Sequence, residues 1–239
     1  MSKTVFLAGA SGAIGRRLAP LLICQGWRVV GTTRSADRAA LLRGIGVEAV
    51  IVDVFEAPAL ASVVANARPA IVVHQLTDLP PGLDPTRMAE ATARNARIRD
   101  KGTRNLVDAA VRAGVRRLVA QSVAFAYAPK NLPHREDDAL AVDAEGRAGV
   151  TARGVASLER QVLEAPLAGI VLRYGRLYGP GTGFDAPAVA APLHVDAAAR
   201  AAALAVGQGR PGIYNVAEDD GAVTSDRAKR ELGWTADWR

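Results

Sequence analysis

Val5-Phe6-Leu7-Ala8-Gly9-Ala10-Ser11-Gly12-Ala13-Ile14-Gly15 is the stretch whose reading decides the fold. Four apolar residues read as a buried strand, glycines follow at 9, 12 and 15, and an amphipathic segment continues through Leu22. Strand, glycine turn and helix in that order open a βαβ unit of the kind that grips a dinucleotide. Gly9 allows the sharp turn off the strand, and Gly12 lets the backbone approach a pyrophosphate with no Cβ in the way. Gly15 lets the helix pack closely, and the free N–H groups around Ser11, Gly12, Ala13, Ile14 and Gly15 face the phosphates. Three glycines after a strand can also form a mere turn, but the helix that follows supplies the context the fingerprint requires.

The second strand closes on Thr32-Thr33-Arg34. About twenty residues past the glycines, an Asp or Glu would accept hydrogen bonds from the adenine ribose 2′-hydroxyl of NAD(H). Thr33 and Arg34 stand there instead, and a guanidinium clamps a 2′-phosphate where a carboxylate repels it. NADP(H) is therefore expected in preference to NAD(H). The competing reading of Arg34 is a solvated loop cation.

Of the 239 residues, 49% are hydrophobic and 23% charged, which argues against a disordered chain. No apolar run reaches the roughly 20 residues that span a bilayer, and the first strand leaves no room for a removable leader. The only cysteine, Cys24, reads as a small buried apolar residue of the first helix, so a reducing cytoplasm is the expected location. The formal charge of +6 comes from 30 dispersed Lys and Arg residues with no basic run or zinc spacing, so no nucleic-acid partner is expected.

Further along, strand and helix signals alternate as in a parallel sheet. Strands are expected at residues 47–52, 70–74, 117–121 and 169–173, and helices at 36–42, 57–67, 86–113 and 151–163. The long fourth helix, 86–113, follows a loop rich in Pro80, Pro81, Gly82 and Pro85. The sixth strand runs into Tyr174-Gly175-Arg176-Leu177-Tyr178-Gly179-Pro180-Gly181-Thr182-Gly183, a loop at the edge where ligands gather in open parallel sheets. Pro187, Pro192 and the alanines between them suggest a movable loop, and residues 224–238 a terminal helix and anchor.

Together with Gly102-Thr103-Arg104-Asn105-Leu106-Val107-Asp108-Ala109-Ala110, Leu193-His194-Val195-Asp196, Tyr214-Asn215-Val216 and Leu232-Gly233-Trp234, these stretches resemble an extended or atypical short-chain dehydrogenase/reductase. The type is the NAD-dependent epimerase/dehydratase. The resemblance implies an α/β fold: a Rossmann-like doubly wound parallel sheet over residues 1–239 as one domain, with a small substrate-side region from about 175. It implies that Asp53 and Val54 bracket adenine and that Gln75, Leu76 and Thr77 run beside the nicotinamide ribose. It also implies a homodimer through the helices at 87–113 and 151–163.

The family's Tyr-x-x-x-Lys pair does not carry over: Thr151 stands where tyrosine belongs and Val155 where lysine belongs. Threonine is far too weak an acid without a base beside it, and valine has no charge to supply. The family's carbonyl-polarising Ser/Thr falls on Val123, with Ser122 one residue early and thus on the opposite face of a continuing strand. Tyr127 and Tyr174 are the remaining phenols for a proton-donor role, against packing with their hydroxyls tied down. His134 is a loop histidine or an acid/base. The resemblance implies that His194 and Asp196 lead into a late helix and serve architecture; no third metal ligand has sensible spacing, so no metal is expected.

Three functions stay open on the sequence. One is an NADP(H)-dependent oxidoreductase transferring hydride to or from a small carbonyl or hydroxyl substrate, with Ser122, Tyr127 and Tyr174 as catalytic candidates. The second is a non-catalytic NADP(H)-binding redox sensor. The third is a nucleotide-sugar epimerase/dehydratase with bound NAD, opposed by Arg34 and by the mere ten residues between Gly183 and His194, thin for a sugar-nucleotide lid.

Overall fold

The computed structural model describes residues 3–187 and 189–238. In chain order the elements begin with β1 (Thr4–Ala8), α1 (Gly15–Cys24), β2 (Arg28–Thr33), α2 (Ala36–Gly44), β3 (Glu48–Ile51), α3 (Ala57–Ala67) and β4 (Ile71–His74). There follow α4 (Met88–Arg97), α5 (Thr103–Arg112), β5 (Arg117–Val123), α6 (Gly146–Glu164) and β6 (Ala168–Tyr174). The C-terminal part holds β7 (Arg176–Tyr178), β8 (Pro192–His194), α7 (Val195–Gly207), β9 (Gly212–Val216) and α8 (Asp226–Leu232).

Seven strands pair in parallel in the order β3-β2-β1-β4-β5-β6-β9. Such a sheet must be covered on both faces, and the strand period of two sorts the residues accordingly. Val5, Leu7, Val73, Ile170, Leu172 and Tyr174 pack on the side of α1 and α7. Phe6, Ala8, Val72, Leu118, Ala120 and Val171 pack toward α3, α5 and α6. The chain winds outward from β1 to β3 and then resumes on the other side of β1 with β4. That reversal leaves a crevice at the carboxyl edge between β1 and β4.

The expected 86–113 helix is divided. α4 and α5 are joined by a π-helical turn at Ile98–Gly102, where a Cβ on Gly102 would lie 3.1 Å from Val54. Cys24, expected to be buried, is exposed at the last position of α1. In the substrate-side region β7 and β8 pair in parallel, and Ala188 of the connecting proline-alanine loop lies outside the described residues. The expected anchor is Trp234, 2% exposed, whose indole N–H donates to the Ala197 carbonyl at 2.9 Å.

Candidate functional site

A cleft of about 270 Å³ opens at the crevice between β1 and β4. It is lined by Gly9, Ser11 and Gly12 from the turn after β1, by Arg34 after β2, by Asp53 and Val54 after β3, and by Gln75, Leu76 and Thr77 after β4. Ala13, Ile14 and Gly15 carry the turn into α1 behind that wall, with Ile14 and Gly15 buried.

The glycines differ in what forces them. Gly9 has φ +86°, and a Cβ there would meet the Gln75 carbonyl at 2.5 Å. A Cβ on Gly15 would meet the Gly9 and Ala10 carbonyls at 2.3 and 2.6 Å, so Gly15 serves closure of its own turn. Gly12 is exposed, and a Cβ there would make only an ordinary 3.4 Å contact with the Gly9 carbonyl. Nothing in the folded chain demands Gly12, so its open side is free for a close-approaching ligand. The turn is held to β2 by the Gly9 N–H donating to Thr32 Oγ1 (3.3 Å) and the Ser11 hydroxyl donating to Thr33 Oγ1 (3.2 Å).

Gln75 is 4% exposed, and its side-chain carbonyl oxygen has no hydrogen-bond partner among the described residues. A buried acceptor left open beside a glycine cradle is what a dinucleotide with ribose hydroxyls would complete. The residues present therefore fit a nicotinamide dinucleotide. His74 behind this loop is wholly buried and pushed down to about 4, first by burial and then by the charge of Arg99. The Leu76 N–H donates to its Nδ1 at 3.2 Å, so the ring proton sits on Nε2, facing Thr103 Oγ1 at 3.0 Å.

At the outer end of the cleft, Arg34 is neither free nor merely solvated: its Nη2 lies 3.3 Å from Asp78 Oδ1, and Arg94 holds the other oxygen of Asp78 at 3.3 Å. Ser35 caps α2 by accepting from the Arg38 N–H, and Arg38 itself lines the cleft. Arg38 escaped the sequence reading, although its place in the first turn after Arg34 was the signal for it. Phe55, another lining residue, carries Arg97 4.2 Å above its ring.

Residues 9–157 match the family described as NAD(P)H-binding. The chain belongs to that NAD(P)H-binding family. A relative from a Streptomyces species, 3-diazoavenalumate denitrifying reductase, is 42% identical over 245 residues, covering 91% of this chain and 77% of its own. Among solved structures, UDP-glucose 4-epimerase from Thermotoga maritima superposes with TM-score 0.75 at 17% identity, covering 98% of this chain and 94% of that one. Bordetella bronchiseptica WbmG, in complex with NAD and UDP, gives 0.75 at 21% identity over 98% and 89%. The chain thus joins an NAD(P)H-binding family domain to the fold seen in these solved structures.

In this NAD(P)H-binding chain the three catalytic candidates are not brought together. β5 continues through Val123, so Ser122 faces α6, where its hydroxyl donates to Glu159 Oε1 at 2.7 Å. Arg173 clamps the same carboxylate through Nε (2.8 Å) and Nη2 (2.7 Å), a buried network that sequence reasoning missed because its members stand far apart along the chain. The Tyr127 hydroxyl donates to Asn215 Oδ1 at 2.6 Å, and its ring stacks on His134 at 4.6 Å. Burial pushes the Tyr127 phenol up, with Arg173 opposing. Tyr174 alone reaches the cleft wall, its hydroxyl 3.4 Å from Gln75 Nε2, and complete burial holds that phenol well above its ordinary range.

The positions compared with the Tyr/Lys pair, Thr151 and Val155, both lie on α6. Val155 is 0% exposed and packs with Val123, Ala126 and Ala152, which fills the place of the missing lysine with hydrocarbon. His134 is half-buried with Nδ1 3.4 Å from Asp138, and His194 caps α7 by accepting from the Asp196 N–H. Among the described residues no group of three His, Cys, Asp or Glu is placed to hold a metal, and no helix is long and apolar enough to cross a membrane.

Proposed function

We propose that the chain is an NADPH-dependent reductase that removes a diazo group from a small conjugated aromatic acid. The observation that carries this is the apolar seal around Val155: the family's proton-relay position holds no titratable group. Carbonyl reduction needs a proton on the new alkoxide, whereas displacement of dinitrogen by hydride needs none. When bound, NADPH supplies that hydride, and the step balances as ArN₂⁺ + NADPH → ArH + N₂ + NADP⁺. The 42% identical reductase is named for loss of nitrogen from a diazo acid, which favours the same chemistry here.

In this reading Gln75 accepts from the cofactor ribose, Asp53 and Val54 flank adenine, Leu76 and Thr77 border the nicotinamide end, and Arg34 with Arg38 holds the 2′-phosphate. Ser122 and Tyr127 keep the sheet edge in shape. Residues 1–239 form one domain with the substrate side from about 175, and the helices over 87–113 and 151–163, that is α4, α5 and α6, offer a homodimer contact. A cytoplasmic location is supported by Cys24, the lone cysteine, which can form no disulfide within the chain. A second reading, reduction of a small carbonyl with Tyr174 as acid, is favoured only by the contact of Tyr174 with Gln75.

The test is incubation with 3-diazoavenalumate or a simple aryl diazonium salt and NADPH carrying deuterium at C4. One deuterium in the arene with one N₂ per NADPH supports the proposal. NADPH consumption without label transfer, or activity on carbonyls alone, overturns it.

A further inference from the structure

Resting on that reading, we infer that Arg176, stacked on Phe125, is the anchor for the carboxylate of a conjugated aromatic acid. The chain at the ends of β5 and β6 is tightly drawn together: the Ala124 N–H donates to the Tyr174 carbonyl at 2.8 Å. One residue past Ala124 stands Phe125, and two past Tyr174 stands Arg176, whose Cζ lies 4.5 Å above the Phe125 ring. Tyr174 itself touches Gln75 of the cofactor cleft. The stacked pair therefore stands just past the carboxyl ends of β5 and β6, on the same edge of the sheet as the cofactor cleft.

Both members are exposed, Phe125 at 41%, although a phenylalanine at a strand end gains by burial. Arg17, Arg28, Arg34, Arg94, Arg104, Arg173 and Arg227 each hold a carboxylate, but Arg176 has no acidic partner among the described residues. Its backbone is fixed where it stands. The Arg176 N–H donates to the Ala191 carbonyl at 2.6 Å, the Gly175 N–H donates to Val216 at 2.9 Å, and β7 is paired with β8. Stacking on Phe125 covers one face of the guanidinium and leaves its N–H edge for bidentate capture of a carboxylate. The free ring surface of Phe125 extends an apolar support to the conjugated part of the same ligand.

The experiment is calorimetric titration of the NADP⁺-saturated protein with 4-hydroxycinnamate and with the corresponding amide, on wild type and Arg176→Met. Methionine keeps the apolar stem over Phe125 and removes the charge. Expected is acid binding weakened about tenfold to a hundredfold, with amide and NADP⁺ binding unchanged. Equal affinity of wild type for acid and amide, no binding of the acid, or an unaltered affinity in Arg176→Met overturns the anchor. If the wild type binds the acid through Arg176 yet reduces no diazo compound, the anchor stands and the diazo reading falls. If 3-diazoavenalumate is reduced with the same KM by wild type and Arg176→Met, the reading stands and the anchor falls.

Discussion

Arg34 and Asp78 meet across the end of β1, Nη2 to Oδ1 at 3.3 Å, one residue arriving from β2 and the other from beyond β4. Asp78 holds the guanidinium that, in the proposed function, takes the 2′-phosphate of NADPH. The pair is exposed and doubly shared with Arg94, so it is worth at most about 1 kcal/mol and yields readily to a phosphate.

Removing each partner therefore has opposite effects. Arg34→Ala weakens NADPH far more than NADH, and Asp78→Asn strengthens NADPH by about two- to fivefold by freeing the arginine. Fluorescence titration with both cofactors reads this directly. Equal losses for NADPH and NADH in Arg34→Ala would remove the phosphate clamp.

The glycine turn separates folding from binding. Gly9→Ala places a methyl against the Gln75 backbone at positive φ and should cost the native state outright. Gly12→Ala meets only an ordinary contact, so its melting temperature should match wild type while dinucleotide affinity drops. Thermal melts of the two variants with and without NADPH decide the point, and an unchanged affinity in Gly12→Ala would contradict a backbone approach to pyrophosphate there.

The phenols should be dispensable for turnover. Tyr127→Phe leaves the buried Asn215 Oδ1 without its donor and destabilises by about 1–3 kcal/mol, with kcat of the folded fraction retained. Tyr174→Phe keeps kcat within an order of magnitude of wild type, since hydride displacement of N₂ needs no acid. A loss of about a hundredfold or more in Tyr174→Phe would restore proton donation and with it carbonyl chemistry.

His74 gives the fold an acid sensitivity. Its ordinary value of 6.5 falls to about 4 in the buried site, so the unfolded chain takes up the proton first as pH drops. The stability this group contributes is complete above pH 6.5, declines through the window down to about 4 and is gone below it, about 3 kcal/mol in all. Urea unfolding at pH 7 and 4.5 should show a smaller decline in His74→Gln than in wild type. Identical declines would assign the acid sensitivity to other groups.

By itself the sequence determined what depends on neighbours along the chain. The strand-turn-helix opening follows from where glycines must stand, and the alternating elements follow from apolar periodicity. Even the absence of the Tyr/Lys pair was legible at Thr151 and Val155, because spacing along one helix needs no tertiary contact to read. The cleft likewise gathers Gly9, Gly12, Arg34, Asp53 and Gln75 because sheet order follows from right-handed βαβ crossovers.

Only the tertiary structure decided what depends on distant partners and on solvent. The continuation of β5 by two residues turned Ser122 to Glu159, 37 positions away, and the continuation of β6 to Tyr174 gave that residue the opposite face from Arg173. Cys24 lost its expected burial because it stands at the helix terminus, where the apolar face of α1 has already ended. Arg34 found Asp78 44 residues on, and Arg176 found the aromatic ring of Phe125. Charge partners and exposure are set by packing between elements, and packing has no signature in local spacing.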